Sequence, residues 1–352
     1  MHIMSGPIIS MKDISKEFKV LNRREGLKGS IRDLFSRDYS TVRAVNNITM
    51  DIMPGEVVGY LGPNGAGKST TIKMMTGVLE PTAGELLIND RNPYRNRARN
   101  AQEIGVVFGQ RTQLWWALPL IESFRILKDI YQIREKDYKD MLEYYESLVE
   151  VETLYHKPVR QMSLGQRTLS DILAAFLHNP SVVFLDEPTI GLDVSMKSKI
   201  RDLVKALNQK KNTTVILTTH DMGDVDALCK RIVIIDKGTM LYDNSIENLR
   251  TFFGAYRTLK LKLAKHMSED NAEALLKQAE GLRQKLKGYF AAADSLSVSA
   301  DEEWIDVLIN EEEVSMMQVM NYIQEESKIY DLQLQEISTE DVIKKIYEGG
   351  IR

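Results

Sequence analysis

Short continuous apolar runs recur along the first two thirds of the chain: Val57–Leu61, Ile104–Phe108, Val182–Leu185, Val215–Leu217 and Ile232–Ile235. Runs of this length, apolar on both sides and separated by helical stretches, predict strands of a buried parallel sheet. Residues 8–20 read as a first strand, and 86–108 as further strand and loop. Residues 120–178 carry few glycines and dense 3.6-residue periodicity, which predicts a block of helices. The last of these starts sharply, with Ser163 where an N-cap belongs and Leu169, Ile172, Leu173, Phe176 and Leu177 on one face. Beyond about residue 250 the pattern changes. Leu259, Leu261 and Leu263 alternate, as do Leu296 and Val298, then Ile305, Val307 and Ile309, and finally Leu332 and Leu334. Helical stretches over about 269–287 and 313–327 separate them, and another spans about 339–347. That order is βαββαβ plus a helix, the split-βαβ plan. The expectation is an α/β domain over 1–250, with a helical subdomain over about 111–180, and a small α+β domain over 255–352.

The chemistry begins at the first of the parallel-sheet runs. After Pro54-Gly55-Glu56, a turn signal, Val57–Leu61 leads into Gly62-Pro63-Asn64-Gly65-Ala66-Gly67-Lys68-Ser69-Thr70, and Ile72, Met75 and Leu79 then share a helix face. From Gly62 to Ser69 the segment fits G-x-x-x-x-G-K-[ST] at every fixed position. Gly62, Gly65 and Gly67 permit positive φ and close backbone approach, so that N–H groups converge on phosphate oxygens. The helix start adds free donors and a positive dipole end. Lys68 is a mobile point charge for the β- and γ-phosphates, and the Ser69 hydroxyl suits Mg²⁺. The expectation is a nucleoside triphosphate site. Two further strands end in polar groups, Asp186-Glu187-Pro188-Thr189 and Thr218-Thr219-His220-Asp221. The carboxyl ends of strands are where open α/β sheets bind ligands.

Taken together, these segments resemble the nucleotide-binding subunit of an ABC transporter over roughly residues 8–245. Gly62 to Ser69 matches the Walker A loop, and Gln110 stands at the Q-loop glutamine. Met162-Ser163-Leu164-Gly165-Gln166 matches the signature L-S-G-G-Q, with Met162 and Leu164 departing from it. Val183–Glu187 matches Walker B with its adjacent glutamate, Gly191-Leu192-Asp193 the D-loop, and His220 the switch histidine. The resemblance implies a P-loop fold with a RecA-like core and a helical subdomain. It implies ATP and Mg²⁺ as cofactors, bound by Asn64, Thr70, Gln166 and Asp193 together with the loop residues above. Asp186, Ser69 and Gln110 would face the metal. Glu187 would be the general base for the attacking water, with His220 and Gln110 holding the γ-phosphate, water and metal in line. Ser163 and Gly165 would face the γ-phosphate of the opposite subunit, so the implied unit is a homodimer. Phe18 is the expected adenine-stacking aromatic, with Tyr39 competing. The flanks Tyr60–Thr71 and Glu187–Asp193 look like bacterial exporters of the drug, sodium and polysaccharide type, whose membrane permease is a separate chain. Residues 107–116 and 163–179 look like an uncharacterised multidrug-type branch.

Composition narrows this picture. With 352 residues, 43% hydrophobic and 27% charged, the chain suits about two domains. Its net charge of −4 argues against a general nucleic-acid binder. Residues 255–352 alone carry 12 Lys+Arg and 19 Asp+Glu, so the acidity lies in the second domain. The single cysteine, Cys229, fits a reducing compartment and excludes a cysteine-rich metal site. No apolar run approaches the roughly 18 residues of a membrane helix, and the opening residues carry no secretory pattern. The expected location is the cytoplasmic face of a bacterial plasma membrane, through the permease. Residues 21–43 carry a basic amphipathic pattern, with Leu27, Ile31, Leu34 and Phe35 at helical spacing. This suits a short helix packed on its own domain, or a helix on a lipid surface. Trp115 and Trp116 are candidates either for permease docking or for packing between lobes. The competing functions are a non-transport ABC ATPase acting on ribosomes or a scaffold, and an importer ATPase with a regulatory domain.

Overall fold

The computed structural model describes residues 6–21, 39–109, 112–252, 256–263, 272–290, 296–301, 303–336 and 339–347. It divides into two compact units, Met1–Ile246 and Glu247–Arg352.

The first unit begins with two long antiparallel strands, β1 (Ile9–Leu21) and β2 (Tyr39–Ile52). They pair from Ile9↔Ile52 to Leu21↔Tyr39. The strand β2 falls where no element was read, although Ile48, Met50 and Ile52 alternate and are buried. Leu21 and Tyr39–Arg43 are therefore strand, and the expected amphipathic helix (Leu27, Ile31, Leu34, Phe35) lies outside the described residues. Then follow β3 (Val57–Leu61), α1 (Lys68–Met75), β4 (Ala83–Ile88), α2 (Arg97–Glu103) and β5 (Ile104–Phe108). The helix α2 corrects a loop reading. Its sequence, Arg-Ala-Arg-Asn-Ala-Gln-Glu, buries only Asn100 and so carries no apolar period. The helical block contains α3 (Leu120–Ile130), α4 (Glu135–Leu148), α5 (Glu152–Tyr155) and α6 (Leu164–Phe176). The unit closes with β6 (Val182–Asp186), α7 (Val194–Lys211), β7 (Thr214–Thr218), α8 (Met222–Leu228), β8 (Arg231–Asp236) and β9 (Thr239–Ser245).

Six strands form one sheet in the order β5-β6-β7-β3-β8-β9, parallel except for the edge strand β9. A second, antiparallel sheet has the order β2-β1-β4. Strand alternation divides the apolar runs between two faces. Tyr60, Phe184, Ile216 and Val233 join a core with Ile9, Met11, Ile48 and Ile52 of the antiparallel sheet and Ile72, Met74 and Met75 of α1. Val183, Leu185, Val215 and Leu217 are equally buried on the opposite face. There α6 passes so close over β5 that a Cβ at Gly105 would lie 2.3 Å from Ala175 O. Both faces are thus covered, which is why the runs are apolar without interruption. The fully buried Tyr60 on β3 donates its hydroxyl to Thr71 Oγ1 of α1 at 3.3 Å, and Thr71 Oγ1 donates to Gly67 O at 3.1 Å. The strand before the phosphate loop and the helix after it are joined beneath it.

The second unit starts with α9 (Ile246–Phe252) and β10 (Tyr256–Leu263). It continues with α10 (Ala272–Tyr289), β11 (Leu296–Asp301), β12 (Trp304–Asn310), α11 (Met316–Glu326), β13 (Ile329–Glu336) and α12 (Thr339–Tyr347). Its antiparallel sheet has the order β11-β12-β10-β13, the topology that the expected βαββαβ order yields. Leu259, Leu261, Ile305, Val307 and Ile309 form its core with Leu282 and Leu286 of α10 and Val319 and Ile323 of α11.

Candidate functional site

The phosphate loop leaves β3 at Leu61 and enters α1 at Lys68. Two of its glycines are dictated by contact. A Cβ at Gly62 would sit 2.5 Å from Ile235 O, and one at Gly67 would sit 2.5 Å from Ala44 O, with φ there +106°. Gly65 is also left-handed, at φ +82°, with open space on its Cα. Asn64, Gly65 and Ser69 are exposed, while Thr70 is partly covered. Lys68 is 7% exposed. Its ammonium donates to Gly62 O and, at 3.2 Å, to Pro63 O. Burial pushes its pKa below the usual lysine value, and the carboxylates of Glu187 and Asp186 pull it back up. Those two carboxylates therefore lie within electrostatic reach of the ammonium.

Asp186 ends β6 and accepts from Thr218 Oγ1 at the end of β7, at 2.5 Å. Glu187 follows with φ +51°, a left-handed conformation unusual outside glycine. Its N–H is held by Thr218 O at 2.9 Å and Thr218 Oγ1 at 3.2 Å. That turn aims the carboxylate at His220, whose Nε2 lies 2.8 Å from Glu187 Oε1. Backbone strain of this kind collects where a side chain must be held against its preference. Gln110 lies outside the described residues. The residue before it, Gly109, donates its N–H to Asp186 O at 2.8 Å.

The signature segment is a separate group. Ser163 caps α6 in a capping box with Gln166: Gln166 N–H donates to Ser163 Oγ at 3.2 Å, and Ser163 N–H to Gln166 Oε1 at 3.2 Å. Lys157 Nζ also holds Gln166 Oε1, at 2.8 Å. Gly165 is buried against α7, where its Cβ would meet Met196 Cγ at 2.6 Å. Asp193 caps α7 by accepting from Met196 N–H at 2.9 Å. Among the described residues no hydrogen bond joins this group to Lys68, Asp186, Glu187 or His220. Of the two departures, Met162 is buried, while Leu164 is exposed near Gly191. Phe18 lies on β1 opposite Val42, partly exposed, with Lys16 Nζ 5.4 Å from its ring centroid. Val42 is two residues from Ala44, which touches Gly67, whereas Tyr39 is five residues away. Trp115 and Trp116 are both exposed, and the Arg167 guanidinium lies 4.7 Å from the Trp116 ring.

The sequence profile of the family described as ABC transporter matches residues 45–190. The ABC transporter ATP-binding protein NatA of Bacillus subtilis is 30% identical over 215 residues, which is 61% of this chain and 87% of NatA. The chain belongs to the ABC transporter ATP-binding protein family. ABC transporter A family member 1 of Dictyostelium discoideum is 33% identical over 229 residues; these are 65% of this chain but 26% of that much longer relative. An ATP-binding cassette solved as a dimer in a post-hydrolysis state, bound to ADP and Pi, superposes with a TM-score of 0.54 and 25% identity. That match covers 68% of this chain and 98% of the cassette. This is an ATP-hydrolysing domain family, and the fold of the first unit is its fold. Among the described residues, no helix is long and apolar enough to cross a membrane.

Beyond the motif residues, the ABC domain is held together by groups that motif reading missed. Thr218 braces both Asp186 and Glu187. Asp171 on α6, 5% exposed, accepts from Thr112 Oγ1 at 2.9 Å and Gln113 N–H at 3.1 Å, tying the segment after Gln110 to the signature helix. Asp171 sits one turn from Arg167 and opposite the helix face of Leu169, Ile172, Leu173 and Phe176, so the apolar pattern did not mark it. Burial pushes its carboxyl up to about 6, against hydrogen bonds from Thr112 and Gln113 that favour the ionised form. A carboxyl near 3.8 unfolded and about 6 folded binds more protons when folded, so this term favours the folded state most below pH ~4 and is lost as pH rises to ~6. Asp171→Asn keeps an acceptor without the charge. The melting temperature of the variant relative to wild type should therefore climb by a few °C between pH ~4 and ~6. A difference that stays flat across that window would refute the assignment.

Proposed function

We propose that this chain is the ATP-binding and ATP-hydrolysing subunit of an ABC exporter, working as a homodimer whose closure on ATP drives a separately encoded membrane permease. The single observation that carries the hydrolytic reading is the Glu187–His220 contact at 2.8 Å, beyond the carboxyl ends of β6 and β7. A phosphate chain suits the loop because Gly65, at φ +82°, leaves open space beside it and Lys68 lies at its inner end. With Asn64, Gly65, Ser69 and Thr70 these residues would hold the phosphates, and Ser69, Gln110 and Asp186 would hold Mg²⁺. One or two hard oxygens plus phosphates and water suffice for that ion, which supplies charge neutralisation on the phosphates. Glu187 accepts the proton of the attacking water, and His220 and Gln110 hold the reacting groups in line. Phe18 is the better adenine-stacking residue, since strand register brings it closer to Gly67 than Tyr39.

The dimer reading is supported by exposed apolar side chains beside the signature and D-loop segments: Leu164, Ile190 and Val194, the last 84% exposed. Ser163, Gly165, Gln166 and Asp193 would then complete the site of the opposite subunit. Residues 1–250 form the ATPase domain. Residues 255–352 form an accessory domain with a structural or pairing role. The exporter assignment rests on the sequence flanking the phosphate loop and the D-loop, Tyr60–Thr71 and Glu187–Asp193. It places the chain at the cytoplasmic face of a bacterial membrane, with Trp115 and Trp116 as docking aromatics for the permease. No nucleic acid partner is involved.

The test is an affinity pull-down of the Glu187→Gln protein from detergent-solubilised membranes of its native host. Co-purification of an integral membrane permease is the expected result. Recovery of ribosomes, a soluble scaffold or a substrate-binding importer complex would overturn the exporter reading.

A further inference from the structure

A carboxylate outside the reacting set is sealed from solvent next to it. Asp224, in the first turn of α8, has 0% of its surface exposed. Its Oδ2 accepts from the hydroxyls of Thr189 and, at 3.0 Å, Thr219. Its Oδ1 accepts from Arg201 Nε at 2.6 Å. These donors come from three segments. Thr189 follows Glu187 by two residues, Thr219 immediately precedes His220, and Arg201 lies on α7, the helix that Asp193 caps. A second ring closes around the first. Asp221, directly after His220, accepts from Lys197 Nζ at 2.5 Å and Arg201 Nη2 at 3.3 Å, both on α7. Its own N–H donates to Thr219 Oγ1 at 3.0 Å.

We propose that Asp224 is a positioning residue for ATP hydrolysis: it clamps the Glu187 segment, the His220 turn and α7 into one body, so that the Glu187–His220 contact does not drift. This rests on the reading of Glu187 and His220 as the reacting pair. Burying a carboxylate is costly unless every lone pair is engaged, and an apolar side chain would fill the same space without that cost. What the carboxylate adds is directional. Donors from three segments converge on one group, and a fully satisfied buried network admits one arrangement of its members. Neither Glu187, at φ +51°, nor the exposed His220 is held in place by apolar packing alone. The Asp193 cap belongs to the same α7, so the D-loop end moves with the switch histidine.

The experiment compares Asp224→Ala and Asp224→Asn in the full chain. In Asp224→Ala, kcat for ATP should fall about 10- to 100-fold while KM changes less than ~3-fold, because geometry at the reacting pair is lost and the phosphate loop is not touched. Asp224→Asn should restore most of kcat. Its Oδ1 can serve Arg201 and its amide can donate to the two threonine oxygens, whose hydroxyls turn to suit. Amide exchange at residues 219–222 should rise at least ~10-fold in Asp224→Ala and stay unchanged in β3 and α1. The exchange readout judges the clamp even if the wild-type chain proves not to hydrolyse ATP, an outcome that would sink the catalytic reading separately. Wild-type exchange at 219–222 in Asp224→Ala overturns the proposal. So does a fall in kcat accompanied by equal loss of protection across the whole unit, the signature of a residue that only supports the fold.

Discussion

Glu187→Gln should lower ATP turnover about 10³-fold while leaving ATP affinity within a few-fold of wild type, as expected when a general base is removed and binding contacts are kept. The argument is steric and electronic. Glutamine has the shape of glutamate, so the turn at φ +51° and the backbone bonds from residue 187 to Thr218 persist. Its amide oxygen can still face His220 Nε2, the contact seen at 2.8 Å. What is lost is a group able to take a proton from water. Lys68 and the loop amides are unaltered apart from losing one negative charge that faces the ammonium. ATP should therefore bind, persist, and hold two copies of the variant together. Single-turnover hydrolysis, nucleotide binding and light scattering read the three parts separately. Turnover within tenfold of wild type would remove Glu187 from the role of base and leave His220 or a bound water to supply it.

The candidate site residues were legible in the sequence because they sit at strand ends inside short linear motifs. Gly62–Ser69, Asp186-Glu187 and Thr219-His220 each follow an apolar run, so a strand, a turn and a polar group appear together in a few residues. The clamp was not legible. Thr189, Arg201, Thr219 and Asp224 are scattered over 36 positions with no common period, and only the packing of α7 and α8 against the sheet brings them to one carboxylate. Asp171 was hidden for the same reason, since its partners Thr112 and Gln113 lie almost 60 residues away. The second unit shows the opposite balance. Its one-sided sheet leaves a clean alternation at Leu259, Leu261, Ile305, Val307 and Ile309, so its topology could be read, while no such motif marks a site. Two of the elements that escaped carry a weak pattern, since α2 is polar all round and β9 buries none of its residues fully, whereas β2 escaped although Ile48, Met50 and Ile52 alternate.

Lys68→Met should weaken ATP binding by about 10²- to 10⁴-fold, because two charge-assisted hydrogen bonds to phosphate at ~1.5–3 kcal/mol each are removed and each ~1.4 kcal/mol is tenfold. The fold should not suffer in proportion. Lys68 is 7% exposed, and burial is the chief influence on its ammonium, so a neutral side chain of similar length avoids the cost of keeping a charge there. The bonds given up are those to Gly62 O and Pro63 O. The melting temperature of the variant without nucleotide should stay within a few °C of wild type, while the stabilisation that ATP adds should largely disappear. The pH dependence follows from the same burial. Since burial holds the folded pKa of Lys68 below the ordinary lysine value, the ammonium is lost at a lower pH than that of an exposed lysine. Wild-type ATP affinity should therefore decline as pH rises through that depressed pKa, and the Met variant should lack this decline. Calorimetric titration across that range distinguishes a cation that binds phosphate from one that only ties the loop: in the second case melting would drop and affinity would not depend on the charge.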